Sequence, residues 1–568
     1  MKKLLLLLLI YPLFVSAQKQ ANVWYFGRNA GIDFSTGTPS AITNGQINTL
    51  EGCSSFSDED GNLLFYSDGV TVWNKNHQTM QYTNGNLANN LRGNPSSTQS
   101  GMIIPKPNSS NIYYLFTVDD GPGTNNISLG FNLYTIDMSL NSGLGALIDE
   151  DNDGQFFENL SFGREIDWTE KVAAVRGAEC NTYWVVSVVQ NQFYAYKIDQ
   201  NGVDLTPVIS TVNNFMSRRG YLKLSPDGTK LAVANQAGSS YVFSFNSMTG
   251  EVSNDGVSLT NFLDGEPYGA EFSVDSQKLY ISTVSGFRDT MTDPPTTYTL
   301  FQFDLSQINI PSTKSIVHQQ TPGFRGGLQL GPDGKIYATI PLAYNDPTGD
   351  ARFLDVIENP NDNAADVIFT KNAIDLDGRL STQGLPPFIS SLLLPIEIID
   401  VATNQSINNQ NLQLCTGNFI EINPEPVTGN NITYEWIFDN GITQNTISSS
   451  PNLTISNLSN NDNGNYTLTV NLVDDCGNIT KLEGTFNIEV YEAASANSVN
   501  NISFCDTDND GFNAFDLEAD VTPQVLAAQD PNQFEVLYFL NQSDADNNNT
   551  ANALPNPYTN PTPFSSQT

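Results

Sequence analysis

The chain of 568 residues carries 61 Asp and Glu against 24 Lys and Arg, a formal net charge of −37. Such a surface repels phosphate backbones, which excludes nucleic acid as a partner. Only two histidines, His77 and His318, are present, and no G-x-S-x-G, P-loop or H-E-x-x-H motif occurs. A His-based triad or multi-His metal centre therefore has little material, and no catalytic residue is assigned.

At the N-terminus, Lys2 and Lys3 precede an apolar run through Val15, and Val15, Ser16 and Ala17 offer small residues before Gln18. That is the pattern of a secretory signal cleaved after Ala17. Removal of the two lysines takes the charge from −37 to −39. No later segment is long and apolar enough to span a bilayer, so the mature chain is expected outside the cell, secreted or attached to its surface.

A hairpin unit then recurs: an apolar strand, a tight polar turn and a second strand rich in Leu, Tyr, Val and Ile. It occupies residues 54–67, 102–118, 172–188, 221–234, 270–283 and 327–340, with turns at Gly61, Ser110, Asn181, Gly228, Ser276 and Gly334. Aromatic strands such as residues 191–199, 240–245, 298–305 and 353–358 follow most of the hairpins. Sheets of four short strands bury both faces when stacked radially, and a period of 40–50 residues is the signature of a β-propeller. Residues 19–393, at roughly 50 per blade, predict about seven blades. The seventh is shared with the N-terminal strands at 24–27 and 31–35. The Pro-Asp-Gly turns at Pro226 and Pro332 preset hairpin angles, so Asp227 and Asp333 read as turn residues. Two longer stretches, residues 119–170 and 285–297, read as insertions that form a contact region, with Arg164 and Trp168 as the candidate binding residues. Trp24, Trp73 and Trp184 lie in strands and read as core.

Several of these stretches carry a family resemblance: NVWYFGRNAGIDFSTGTP, EGCSSFSDEDGNLLFYSDGVTVWNKNHQTM, SSTQSGMIIPKP, TEKVAAVRGAECNTYWVV and GLPPFISS. In this order they resemble the N-terminal propeller of type IX secretion cargo that bears type B, gliding-motility-associated sorting domains. The resemblance implies passage through the outer-membrane secretion machinery and surface display or release. It implies no reaction. The sorting domain itself is absent from this chain, and the closing run rich in Pro, Thr and Ser predicts that the natural chain continues into one.

The remaining sequence divides in two, giving expected domains at 18–395, 398–492 and 500–568. From 398 to 492, alternating apolar residues, Trp436 and an Asp-x-Gly-x-Tyr segment ending at Tyr466 predict an immunoglobulin-like or PKD-like β-sandwich, with Tyr466 as its corner tyrosine. Leu468 stands where an antibody-type domain has its second cysteine, and the expected bridge is Cys415–Cys476. No CxxC exists among the five cysteines, so neither a zinc knuckle nor a redox pair is indicated. The last unit, an incomplete acidic β module, has ten Asp and Glu and no Lys or Arg. Its Asp506, Asp508 and Asp510, followed by Gly511, have the D-x-D-x-D-G spacing that gathers oxygen ligands for calcium. Asp149, Asp151, Asp153 and Gly154 repeat it. At position 12 the loops carry Leu517 and Leu160 in place of a bidentate Glu, although Glu158 is near the second.

The fold class is thus all-β: propeller, sandwich and acidic module. The expected function is a surface or secreted binding or adhesion protein for an extracellular glycan or protein, with the propeller as platform and the sandwich as spacer. The alternative is a propeller hydrolase or lyase cleaving extracellular polysaccharide through paired carboxylates.

Overall fold

The computed structural model describes residues 19–560 other than 37, 123–126, 347–348, 394–395, 397, 409, 428–429, 474–478, 493, 504, 509 and 533. The signal segment and Cys476 lie outside the described residues. Contacts divide the chain into two compact units. One runs to Gln410 and takes in Glu421–Leu453 and Asn465–Phe486; the other comprises Asn411–Ile420, Thr454–Gly464 and the residues from Asn487 onward.

The first unit holds a ring of seven sheets, antiparallel throughout the described residues except where Gln81–Tyr82 runs parallel to Ala146–Ile148. Each recurring hairpin supplies the first two strands of one sheet. In the fourth, Trp168–Arg176 pairs with Tyr183–Val189, which pairs with Gln192–Asp199. In the sixth, Glu266–Phe272, Lys278–Val284, Tyr298–Asp304 and Ser315–Gln320 follow in spatial order. First strands of successive sheets contact one another, so they line the axis. Burial follows: Trp168–Arg176 is buried along all but its last residue, whereas the outer Ser315–Gln320 is half-exposed. The N-terminal strands Val23–Phe26 and Ala30–Asp33 form the expected closing sheet with Ser40–Ile42. Residues 119–170 are less of an insertion than the sequence suggests. Phe131–Asp137 and Ala146–Ile148 within them are the third and fourth strands of the third sheet, paired along seven and three residues.

Between Arg379 and Leu392 the chain leaves the sheets, and residues 381–390 are all buried. Gly327 N donates to Gln383 O at 2.7 Å, and Gln383 N donates to Leu50 O at 3.0 Å. Leu385 N donates to Tyr221 Oη, Arg176 N donates to Ser391 Oγ, and Ile389 bridges Ala174. The Phe388 ring lies 5.6 Å from Trp24. These partners belong to five different sheets, and a segment that touches five sheets of a ring must run along its axis. The core is therefore a wheel packed around its own last strand-like segment.

In the sandwich region Asn430–Asp439 pairs with Gly464–Val473 and with Gln444–Ser448. Trp436 is fully buried with Nε1 donating to Pro451 O, and it lies opposite Leu468, also fully buried. Tyr466 stacks on Phe486 at 5.2 Å. A leucine in place of the second cysteine thus fills the core where a disulfide would pin it. In the second unit Asn411–Cys415 runs parallel to the end of Ile479–Tyr491. Cys415 is exposed with a free thiol, so the expected Cys415–Cys476 bridge is not formed. Its strand ends at the surface and directs the thiol to solvent. Cys180 is disulfide-bonded; Cys53 and Cys505 are free. The acidic module keeps one strand pair, Ala514–Phe515 with Tyr558–Thr559, and adds three short helices. Asp516 caps the first, and Pro523 opens the second where a missing N–H costs nothing.

Replacing Phe388 with Ala removes a nearly fully buried ring from the axis and is expected to cost about 3–5 kcal/mol. Calorimetry of the mature protein checks this: an unchanged melting temperature would show that the axial segment does not hold the ring.

Candidate functional site

Because strands alternate in direction, the loops entering each first strand lie on the same face of the ring as those joining second to third strands. This loop face gathers a charged cluster over the axis. Arg325 is 2 % exposed; its Nη2 donates to Glu51 Oε1 at 2.6 Å, Nε to Gln383 Oε1 at 2.9 Å and Nη1 to Gln236 Oε1 at 2.5 Å. Its guanidinium also lies 4.7 Å from the centre of the Tyr268 ring. Glu170 accepts at Oε2 from Thr98 N and Oγ1 at 3.0 and 2.9 Å, while Arg219 Nε stands 3.5 Å from Oε1. Lys171 Nζ donates to the carbonyls of Arg219 and Gly220, both at 2.6 Å. Beneath them Gln99 Oε1 accepts from Leu222 N, and Tyr221 closes the floor.

One oxygen on each acid, Glu51 Oε2 and Glu170 Oε1, is buried without a hydrogen-bond donor. Burial lifts Glu51 to about 7 against the opposing pull of Arg325, and it also raises Glu170. Burial likewise lowers Lys171 to about 7, with Glu170 opposing. Both carboxylates are covered by the groups packed around them. Arg219, whose side chain is 54 % exposed, is the cluster's outlet to solvent. Loops of the same face present apolar side chains outward. Asn261 caps the turn Phe262–Asp264 and leaves Phe262 and Leu263 89 % and 79 % exposed. Phe287 stands 5.8 Å from the Tyr344 ring, and Phe215 and Phe162 are also exposed.

The two residues expected to contact a ligand are placed differently. Trp168 is 1 % exposed, with Nε1 donating to Ser187 Oγ and its ring stacked on Phe131. It is the first residue of an innermost strand rather than part of a loop, and packing there removes it from any surface contact. Arg164 is half-buried and committed to Gln192, Tyr194 and Gln190. The Glu51, Glu170 and Arg325 cluster escaped the sequence because its members come from three separate repeats. The signal available was a charged residue near the start of an apolar first strand, just ahead of it in Glu51 and Arg325 and third within it in Glu170.

The aspartate loops share one backbone pattern. Gly154 N donates to Asp149 Oδ2 at 2.9 Å and Gly511 N to Asp506 Oδ2 at 2.7 Å. Asp153 N donates to Asp151, and Asp510 N to Asp508. In each loop one oxygen from every aspartate lies within 4.8 Å of the others, as ligands to one hard cation must. Hydrogen bonding with Asp506 raises the Asp508 carboxyl, and burial followed by the charges of Asp151 and Asp153 raises Glu158.

Residues 501–568 match the family described as the Flavobacterium inter-domain disulphide bond domain. No curated protein matches the chain. Among solved structures, the chain is similar to one described as a 6-phosphogluconolactonase of Bacteroides fragilis, at 13% identity and a TM-score of 0.38, covering 64% of this chain and 96% of that one. It is similar to the extracellular domain of a one-component system from B. thetaiotaomicron, at 12% identity and a TM-score of 0.21, covering 83% and 74%. A third is Bacteroides ovatus xyloglucan PUL GH43B, at 11% identity and a TM-score of 0.27, covering 68% and 93%. Among the described residues no helix is long and apolar enough to cross a membrane.

Burial raises the Glu51 carboxyl in the folded state to about 7, above its ordinary value of 4.5. Between those values the folded state binds more protons, so its stability falls as pH rises. The mature protein is expected to melt higher at pH 5 than at pH 7.5. Glu51→Gln is expected to reduce that slope, to which the likewise raised Glu170 and Asp333 also contribute, and an identical slope in the variant would remove Glu51 as a source.

Proposed function

We propose that this is an exported binding protein of the cell exterior that takes a polysaccharide on the loop face of its propeller, with the sandwich as a spacer. The observation that carries the reading is the axial cluster: two buried carboxylates hold Arg325 and Arg219 beneath a rim of exposed aromatic side chains. Aromatic faces stack on sugar rings, and a fixed guanidinium supplies the few oriented polar contacts that such a site needs. Binding is favoured over hydrolysis because both axial carboxylates are covered, and a general acid must reach the proton it transfers. Export through the type IX machinery, with attachment or release at the surface, belongs to this proposal.

Binding of the mature protein to soluble extracellular polysaccharides is measured by calorimetry, with reducing ends assayed in parallel. Binding without release of ends is expected. Phe287→Ala and Arg219→Ala are each expected to weaken it about tenfold, a loss in the range found for central contact residues. Release of reducing ends would instead establish the hydrolase or lyase.

We also propose that the aspartate loops take calcium, supported by the matched geometry of the two. Millimolar calcium is expected to raise the melting temperature of the mature protein. Replacing Asp506, Asp508 and Asp510 with Asn should reduce that rise, and an undiminished response would show that the second loop binds no calcium.

A further inference from the structure

A cavity of about 530 Å³ opens where the ends of the ring meet, lined by Arg28, Asn29, Asn48, Thr49, Gly378 and Arg379 with two leucines. Three chain segments build it. Arg28 N donates to Leu380 O at 2.8 Å, and Thr49 N donates to Gly27 O at 3.0 Å; Arg28 bridges both Asn48 and Leu380. Each arginine follows a glycine of positive φ, Gly27 at 56° and Gly378 at 77°. At Gly27 a Cβ would stand 2.1 Å from Leu380 O, so only glycine lets the first turn lie against the last segment.

The arginines are unusual for what they do not touch. In a chain of 61 Asp and Glu, no carboxylate among the described residues lies within ion-pair distance of Arg28 or Arg379. No acidic residue lines the cavity. Other arginines of the loop face are committed: Arg218 to the carbonyls of Trp168 and Ile166, Arg288 to those of Leu342 and Met291, and Arg325 to Glu51. Arg379 makes one long bond, Nη2 to Thr43 O at 3.4 Å. Two planar guanidinium forks facing one space are suited to an oxyanion, which each can meet with paired N–H donors.

We propose that this cavity is a seat for an oxyanion substituent, a carboxylate or a sulfate ester, on the polysaccharide that the loop face binds. It rests on the polysaccharide reading for the rest of the ligand. Leu50 lines the cavity and the next residue is Glu51 of the axial cluster, so one chain of sugars lying across the face reaches both. The cavity volume falls within the range of small-ligand sites, room for a ring bearing the anion.

The test uses the mature protein, Arg28→Gln, Arg379→Gln and the double variant. The probes are sodium sulfate, sodium glucuronate, a polyuronate, a sulfated galactan and a neutral glucan. Each substitution is expected to weaken the acidic polymers about tenfold and to reduce the salt dependence of binding, with the neutral glucan unaffected. Whichever polymer shows the larger loss, polyuronate or sulfated galactan, identifies the anion. Arg379→Gln removes an exposed side chain with one weak bond, so it serves if Arg28→Gln does not fold. Equal binding of both acidic polymers to wild type and Arg379→Gln overturns the seat while leaving the polysaccharide reading intact. Sulfate or glucuronate binding that the variants lose, with no polymer bound at all, retains the seat and overturns the polysaccharide reading.

Discussion

The ring depends on residues 381–390 running along its axis. A propeller whose first strands merely abut leaves polar backbone and a channel at the centre. Here the channel is filled by a buried segment whose N–H groups and side chains pair with five sheets, so the sheets are tied to a common centre as well as to their neighbours. The loop-face cluster is arranged on the same segment, because Gln383 accepts from Arg325 while its own N–H holds Leu50 beside Glu51. Packing and site geometry therefore share their supports.

The charge cluster illustrates what burial does to ionisable groups. Taking two carboxylates and a guanidinium out of water is costly unless each is paired, and here the pairing is incomplete: one oxygen on each acid lacks a donor. The cluster resolves the deficit by retaining protons at higher pH than a surface carboxylate does. The second layer is better matched, with Lys223 Nζ donating to Glu271 at 2.7 Å and Gln329 at 2.6 Å.

Much of the ring was legible in the sequence, since local patterning reports local structure. The six hairpins fell on the first two strands of six sheets because alternation of apolar residues and fixed turn chemistry need only a dozen neighbouring residues. Gly228 and Gly334 fell in those turns, and the N-terminal strands closed the ring. What was hidden required distance. Glu51, Glu170 and Arg325 belong to different repeats, and nothing within a repeat shows that they converge. Trp168 failed for the opposite reason: the long stretch before it read as a loop, while it contains the strands Phe131–Asp137, Ala146–Ile148 and Glu158–Asn159 and ends where the next inner strand begins. Cys415 shows that spacing alone does not pair thiols, because pairing is decided by where the strands carrying them end.

Closure of the ring through Arg28 and Leu380 also has a kinetic side. The two residues that meet are separated by most of the propeller sequence, and bringing together the ends of a flexible segment that long costs about 5 kcal/mol in loop-closure entropy beyond its constant part. Until the last of these residues is available, the first sheet stays an open edge with unpaired N–H and C=O groups. A fold of this kind forms late and cooperatively, with high contact order and a slow final step.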